Sequence, residues 1–116
     1  MDIYHGWCDL KDDVSDMEFA DAFVTYMERL KSDGFIESYR LTRRKLGLGG
    51  EGLGEFHFMI EVEGLAQLDE AFGLVAARSG PVERDHFSVN TLIKNVRFAL
   101  YRDFPDPGRV QGEELF

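Results

Sequence analysis

The segment FHFMIEV at residues 56–62 alternates in the way that a β-strand does. Its even positions form a uniformly apolar side, made of Phe56, Phe58, Ile60 and Val62. Its odd positions form a mixed side, made of His57, Met59 and Glu61. The first side is typical of a strand face that covers a hydrophobic core. A sheet face made entirely of such mixed positions is too apolar to remain exposed to water. The second side therefore predicts that a partner molecule covers this face.

The first and last predicted strands, residues 2–10 and 96–104, share this two-sided pattern. The first strand places His5 and Trp7 on one side. The last strand divides into an apolar and a mixed side, which are Val96, Phe98 and Leu100 against Arg97, Ala99 and Tyr101. A further strand is predicted at residues 36–46, with Tyr39 and Leu41 on a common side.

A helix is predicted over residues 15–34. Ser15 and Glu18 have the spacing of a capping box, in which each side chain bonds the other residue's backbone N–H. Apolar residues then recur every three or four positions, at Phe19, Phe23, Met27 and Leu30. Gly34 predicts the end of this helix, because glycine readily adopts the left-handed conformation found there.

A second helix is predicted over residues 65–79, with an apolar stripe at Leu65, Leu68, Phe72 and Val75. The pair Gly80-Pro81 predicts its end. Residues 82–93 are interpreted as a loop that contains a short helical turn.

This order of elements predicts an α+β, ferredoxin-like βαββαβ domain, with a four-stranded antiparallel sheet and two helices on one face. The more uniformly apolar set is assigned beneath the helices: Phe56, Phe58, Ile60, Val62, Val96, Phe98 and Leu100. The opposite face is assigned His5, Trp7, Leu41, His57, Met59 and Tyr101. Burial of that face against the same face of a second copy predicts an isologous homodimer, a dimeric α+β barrel.

Length and charge narrow the class of protein. The chain has 116 residues, enough for one core, and we expect a domain over residues 1–107 and a C-terminal tail over residues 108–116. A net charge of −9 would repel nucleic-acid phosphates and anionic membranes, so neither is expected as a partner. The single cysteine, Cys8, favours a reducing, cytoplasmic location, with a cysteine-poor periplasmic protein as the alternative.

Residues 47–52, GLGGEG, satisfy the glycine string of dinucleotide-binding loops. Phosphate binding at that string requires a helix N-terminus directly after it. The next predicted element is instead the strand at residues 56–62, so the glycines are interpreted as a flexible hairpin connection.

Three histidines and their aromatic neighbours are the candidate site residues. The predicted sheet order makes the first and third strands neighbours, so His5 and His57 share a face and can serve metal binding, proton transfer or plain packing. The predicted ligand-binding set is His5, Trp7, His57, Met59, His86 and Tyr101. Catalytic candidates within it are His5, His57 and Tyr101, and no metal site is expected because the chain lacks a ligand spacing such as H-x-x-x-H.

One basic cluster, Arg40, Arg43, Arg44 and Lys45, stands out in an acidic chain. Charged residues commonly keep an edge strand in solvent, which is the interpretation favoured here. The alternative is a docking site for an acidic ligand or for the acidic segment at residues 9–16 of a partner subunit.

Several strings along the chain carry a family resemblance, namely HGWCDLK (5–11), RLTRRKLGLG (40–49), GLGEFHFMIEV (52–62) and FALYRDFPDP (98–107). They resemble a small bacterial family of uncharacterised proteins within the dimeric α+β barrel superfamily. A first-strand histidine and the DHF string at residues 85–87 are more distantly similar to stress-responsive barrel proteins. The resemblance implies a homodimer whose sheets face each other and assigns no function. The superfamily also includes haem-degrading enzymes, whose matched Asn, Trp and His set is not found here, so no cofactor is expected and haem is the minor alternative.

Two functions therefore remain open. The first is a homodimeric binding protein for a small apolar or aromatic molecule. The second, which the wider superfamily implies, is a cofactor-independent monooxygenase or isomerase acting on an aromatic substrate, with His5 or His57 moving the proton and Tyr101 positioning the substrate. A dimer that binds no ligand is the third alternative. An enzyme requires a cavity with a histidine inside it, whereas a binding protein requires only the cavity.

Overall fold

The computed structural model of the protein describes residues 1–77, 80–106, 108 and 112. Within these residues the elements follow in the order β1 (Asp2–Leu10), α1 (Asp16–Ser32), β2 (Ser38–Arg43), β3 (Phe56–Val62), α2 (Leu65–Ala76), α3 (Gly80–Asn90) and β4 (Ile93–Arg102). The strands form one antiparallel sheet in the order β2-β3-β1-β4. This confirms the predicted α+β, ferredoxin-like fold. Most of the predicted tail, residues 108–116, lies outside the described residues.

Helix α1 forms as its sequence predicts. The Ser15 hydroxyl accepts a hydrogen bond from the Glu18 backbone N–H at 3.0 Å, which caps the first turn. Gly34, just beyond the last turn, has φ of +81°. The predicted stripe is the buried side of the helix, made of Phe19, Phe23, Met27 and Leu30. The whole helix is therefore fixed by local signals and by one apolar face.

Strand β1 lies in the interior of the sheet and allows a close approach at its midpoint. Gly6 pairs with Phe58 of β3, and the Phe58 ring lies directly over the glycine. A Cβ atom placed on Gly6 would lie 2.0 Å from the Phe58 Cζ atom. Because Phe58 belongs to the buried core, its ring has little room to move aside.

The prediction for residues 82–93 was wrong, because most of this segment is helix α3. The Gly80-Pro81 pair that predicted a helix end instead begins the new helix, and α2 ends earlier, at Ala76. Proline is well tolerated in a first helical turn, where no N–H has an intrahelical partner. Val82 and Val89 bury the inner face of α3. An ion pair of 2.5 Å between Arg29 and Asp85 joins α3 to α1.

One assignment of a side chain to a sheet face also requires correction. Leu41 pairs with Phe58 and packs against the core, so it lies on the helix side and not on the mixed face. The side chains of Phe98 and Leu100 lie on the helix side, as predicted, yet they remain 58% and 50% exposed. The helices thus bury the sheet over β1 and β3 more completely than over the outer part of β4.

The contact at Gly6 yields a stability test. We expect Gly6→Ala to lower the free energy of unfolding by about 1–3 kcal/mol, because the new methyl group must displace a buried ring. The matched control is Gly73→Ala in α2, where an added Cβ has nothing within 4 Å. That control should raise stability by about 1 kcal/mol, since alanine favours helix over glycine. Urea unfolding of the three proteins measures both effects, and equal stability of Gly6→Ala and the parent would contradict the packing described here.

Burial of Cys8 yields a second test. This thiol is fully buried, and burial, followed by the nearby Asp9 carboxylate, raises the pKa of Cys8 to about 12. The thiolate is the reactive form of cysteine, so we expect no reaction with Ellman's reagent at pH 8 in the native protein. One thiol per chain should react once the protein is unfolded in guanidinium. Rapid native-state labelling would show that β1 opens far more readily than its packing implies.

Candidate functional site

The sheet presents one face away from the helices, which we call the outer face. Its side chains form three rows across the order β2, β3, β1 and β4, as the strand register defines. The rows are Thr42, His57, Trp7 and Arg97; Arg40, Met59, His5 and Ala99; and Ser38, Glu61, Ile3 and Tyr101. The middle of this face is aromatic and apolar, and its side chains are only partly buried in the single chain.

Two histidines on adjacent strands make direct contact on the outer face. The His5 Nδ1 atom and the His57 Nε2 atom are 2.9 Å apart, which is a hydrogen bond between imidazoles. The Trp7 indole stacks on the His57 ring with centroids 4.5 Å apart, and the Tyr101 ring meets His5 edge-on at 5.0 Å. Strand register therefore gathers four of the six predicted site residues into one aromatic cluster.

Both imidazoles of this pair favour their neutral forms. Burial lowers the pKa of His5 below its ordinary value. Burial, followed by the nearby charge of His5, lowers the pKa of His57. In the hydrogen bond between them one ring nitrogen donates and the other accepts, an arrangement that two protonated rings cannot make.

A cavity of about 140 Å³ lies on the other side of the sheet, enclosed between the sheet and all three helices. Most of its lining is aliphatic or aromatic side chain. At its rim the Tyr4 ring stacks on Phe98 with centroids 5.4 Å apart and meets Phe72 edge-on at 5.4 Å. Phe98 and Phe72 are 58% and 46% exposed, so these rings mark where the cavity reaches solvent.

One wall of the cavity is polar and is built by α1 and α3. His86 and Tyr26 both line it, with ring centroids 5.9 Å apart in an edge-to-face arrangement. The His86 Nδ1 atom is 3.7 Å from the Glu83 Oε2 atom, one turn earlier in α3. Among the described residues, that buried carboxylate oxygen has no hydrogen-bond partner.

The tyrosines of the cavity are held in their neutral forms. Burial, and then the charge of Glu83, raises the pKa of Tyr26 well above its usual range. Burial also raises the pKa of Tyr4. Both hydroxyl groups can therefore donate hydrogen bonds near neutral pH, and like the His86 ring and the Asn90 amide they can orient a ligand.

The six predicted ligand-binding residues do not form one cluster. Five of them lie on the outer face: His5, Trp7, His57, Met59 and Tyr101. His86 lies on the opposite side of the sheet and lines the cavity. Sequence reasoning missed Tyr4 and Tyr26 as cavity residues. Tyr26 follows Phe23 by three positions on the apolar side of α1, which was the available signal.

Two residues of the basic cluster, Arg43 and Arg44, contact the connection between β2 and β3, and Arg43 also contacts α1. Arg43 forms ion pairs with Asp16 at 3.0 Å and with Glu55 at 2.6 Å. The Arg44 guanidinium donates a hydrogen bond to the Leu53 carbonyl oxygen at 2.5 Å. The glycines at residues 47–52 lie in this connection, which leads into a strand and not into a helix. These contacts fit the interpretation of a solvent-facing hairpin, and the dinucleotide motif lacks its required helix.

A metal-binding cluster and a membrane-spanning helix are both absent from the described residues. No three His, Cys, Asp or Glu side chains among them lie close enough together to hold a metal ion. None of the described helices is both long enough and apolar enough to span a bilayer.

Solved structures with the same fold are numerous, although their sequences are distant. The variant structure of SnoaB, a cofactor-independent oxygenase from Streptomyces nogalater, matches with a TM-score of 0.68 and 7% identity, over 93% of this chain and 97% of that one. At3g17210 from Arabidopsis thaliana matches with a TM-score of 0.68 and 10% identity, over 89% and 95% of the two chains. A dimeric ferredoxin-like protein of unknown function from Jannaschia sp. CCS1 matches with a TM-score of 0.67 and 10% identity, over 89% and 100%. At these identities the likeness concerns the fold alone.

The sequence itself identifies a family. No curated protein matches this chain. A family model does match, over residues 1–116, and the chain therefore belongs to DUF6614, a family of unknown function.

Proposed function

We propose that this protein binds a small apolar or aromatic molecule in the cavity between its helices and its sheet. The observation that carries the proposal is the cavity itself, with its apolar lining and its three ionisable groups, Tyr4, Tyr26 and His86. An apolar cavity of roughly 150 Å³ is large enough to bind benzene in another protein. The cavity of about 140 Å³ is thus suited to a ligand of one aromatic ring, or to the end of a longer ligand that projects past the rim.

The same proposal includes a homodimer, with the outer face as the contact surface. Its support is the half-buried aromatic cluster around His5 and Trp7, which none of the described helices covers. The similar protein from Jannaschia sp. CCS1 is dimeric, and the same association fits this chain. A cytoplasmic location accords with the reduced, buried Cys8, and the net charge of −9 disfavours nucleic-acid partners.

A second candidate function is cofactor-independent catalysis on an aromatic substrate, and one arrangement favours it. His86 lies on the cavity wall with Glu83 behind it and Tyr26 beside it. An imidazole is the side chain best suited to proton transfer near neutral pH, and a neighbouring carboxylate can orient it. SnoaB, which shares the fold, is a cofactor-independent oxygenase. In this candidate His86 takes the proton-transfer role first considered for His5 and His57.

Thermal denaturation with indole as the probe tests ligand binding. A ligand that binds only the native state, at about one hundred times its Kd, adds about 2.7 kcal/mol of stability, so we expect Tm to rise by several degrees. Ala71→Leu should remove most of this rise, because Ala71 lines the cavity and the longer side chain fills it. Ala66→Leu, on the exposed side of the same helix, is the matched control and should retain the rise. Equal responses in both variants would contradict binding in this cavity, and no response of the parent to indole, naphthalene or 1-naphthol would contradict the proposal.

His86→Gln separates the enzyme from the binding protein. We would measure oxygen uptake with 1,4-dihydroxynaphthalene, above its rate of oxidation in buffer. For an enzyme, loss of the proton-transferring group is expected to lower the protein-dependent rate by about 10²–10⁴-fold. His5→Gln, on the opposite side of the sheet, is the control and should keep that rate. A parent protein that binds the compound and never exceeds the buffer rate identifies a binding protein for this substrate class.

A further inference from the structure

The outer face has the layout of a protein–protein contact surface. Its centre is the cluster of His5, Trp7, His57 and Met59, and it is only partly buried in the single chain. Charged side chains lie toward the edges of the sheet, at Arg40, Glu61 and Arg97. An apolar, aromatic centre with a charged rim is the usual anatomy of a specific interface.

The size of the face agrees with this use. Strands about 4.8 Å apart, rising about 3.3 Å per residue, make a four-stranded sheet roughly 19 Å wide and 30 Å long. A standard interface buries about 800 Å² on each partner, which is the same order as this rectangle with its side-chain relief. One outer face can therefore supply a whole dimer contact.

We infer that a second copy of the chain docks on the outer face, with the two-fold axis passing through the cluster of His5, Trp7, His57 and Met59, and that protonation of its imidazoles drives the copies apart. This inference rests on the proposed homodimer and adds its geometry and its regulation. An isologous contact pairs each surface patch with itself, so the apolar centre of one face meets the apolar centre of the other only if the axis runs through it. Such an axis brings two imidazole pairs together in one enclosed layer.

The charged groups around the imidazoles do not offset a proton on either ring. On β2 and β4 the nearest ones are the cations Arg40 and Arg97, and the Tyr101 ring meets His5 edge-on. The Asp9 carboxylate of β1 accepts hydrogen bonds from the Glu55 backbone N–H and the Asn95 amide, at 2.9 and 3.1 Å.

The carboxylates of β3 and its approach are engaged as well. Glu61 accepts from the Ser38 hydroxyl at 2.8 Å, and Glu55 accepts from Arg43 at 2.6 Å. Among the described residues no carboxylate forms an ion pair with His5 or His57, so a protonated imidazole on this face has no paired carboxylate. Burial between two copies therefore favours the neutral rings still more strongly.

The direction of the pH effect follows from the preference of the imidazoles for their neutral forms in the dimer. In separated subunits the rings meet more water than in the dimer and bind protons more readily, although partial burial already holds the pKa of each ring below its ordinary value. As the pH falls through these lowered pKa values, the separated subunits take up protons that the dimer excludes. For each proton taken up per dissociating dimer, the Kd rises about tenfold per pH unit until the ring also titrates in the dimer.

Sedimentation velocity at pH 7.5 and pH 5.5 tests the inference on the full chain. We expect a dimer at pH 7.5 and a higher Kd at pH 5.5, with a rise of at most about tenfold per pH unit for each proton taken up. Monomers at both values would overturn the homodimer itself. A dimer of equal Kd at both values would overturn only the pH response, so the two failures are distinguishable.

Variants test whether the pH response arises on the outer face. The double variant His5→Gln with His57→Gln should remain dimeric at pH 5.5, whereas His86→Gln, on the other side of the sheet, should respond to pH as the parent does. If the double variant does not fold, NMR titration of the parent replaces it, and His5 and His57 pKa values that stay fixed on dilution to monomer would overturn the inference.

Ala99→Arg beside His5 should yield monomers at pH 7.5, and Ala66→Arg on α2 should not. The reverse pattern would place the contact on the helix side.

Discussion

The structure of this protein depends on one property of the β-strand, which is that successive side chains project to opposite faces of the sheet. Strand β1 carries Tyr4, His5 and Trp7, so both of its sides are aromatic. The helices cover one side, where the Phe58 ring packs over Gly6 and the core closes around it. The other side keeps its aromatic cluster at the surface of the chain. Within the described part of the chain, the helices therefore supply one layer of cover for a sheet that has aromatic side chains on both faces.

The parts of the fold that sequence reasoning predicted are those whose signals are local. The capped start of α1, its stripe at Phe19 and Phe23, and its end at Gly34 each depend on residues a few positions apart. The alternation in β3 is equally local and shows directly in its burial pattern. The placing of His5 and His57 on one face followed from sheet order, because ferredoxin-like topology makes β1 and β3 neighbours, whereas their direct contact depends on the strand register.

The errors have a different physical origin, since each depends on packing between distant elements. The alternation of side chains within β2 does not show on which face of the sheet the Leu41 side chain lies. Only the pairing of Leu41 with Phe58 places it on the helix side. Helix α3 was missed because a glycine–proline pair is compatible with either end of a helix. The inner side of this helix carries Val82, His86 and Val89. The histidine interrupts the repeat of apolar residues that is typical of a buried helix face. The residue that broke the pattern is the one that gives the cavity its reactive group.

The two sides of the sheet thus separate two kinds of chemistry. On the outer face each imidazole uses one ring nitrogen in the hydrogen bond between the histidines, and the His57 ring also stacks on Trp7. In the cavity, among the described residues, His86 lies 3.7 Å from the Glu83 carboxylate and meets the edge of Tyr26. Because β1 contributes Tyr4 to the cavity and His5 to the outer face, one strand serves both surfaces, and its alternation keeps a substitution on one side from entering the other.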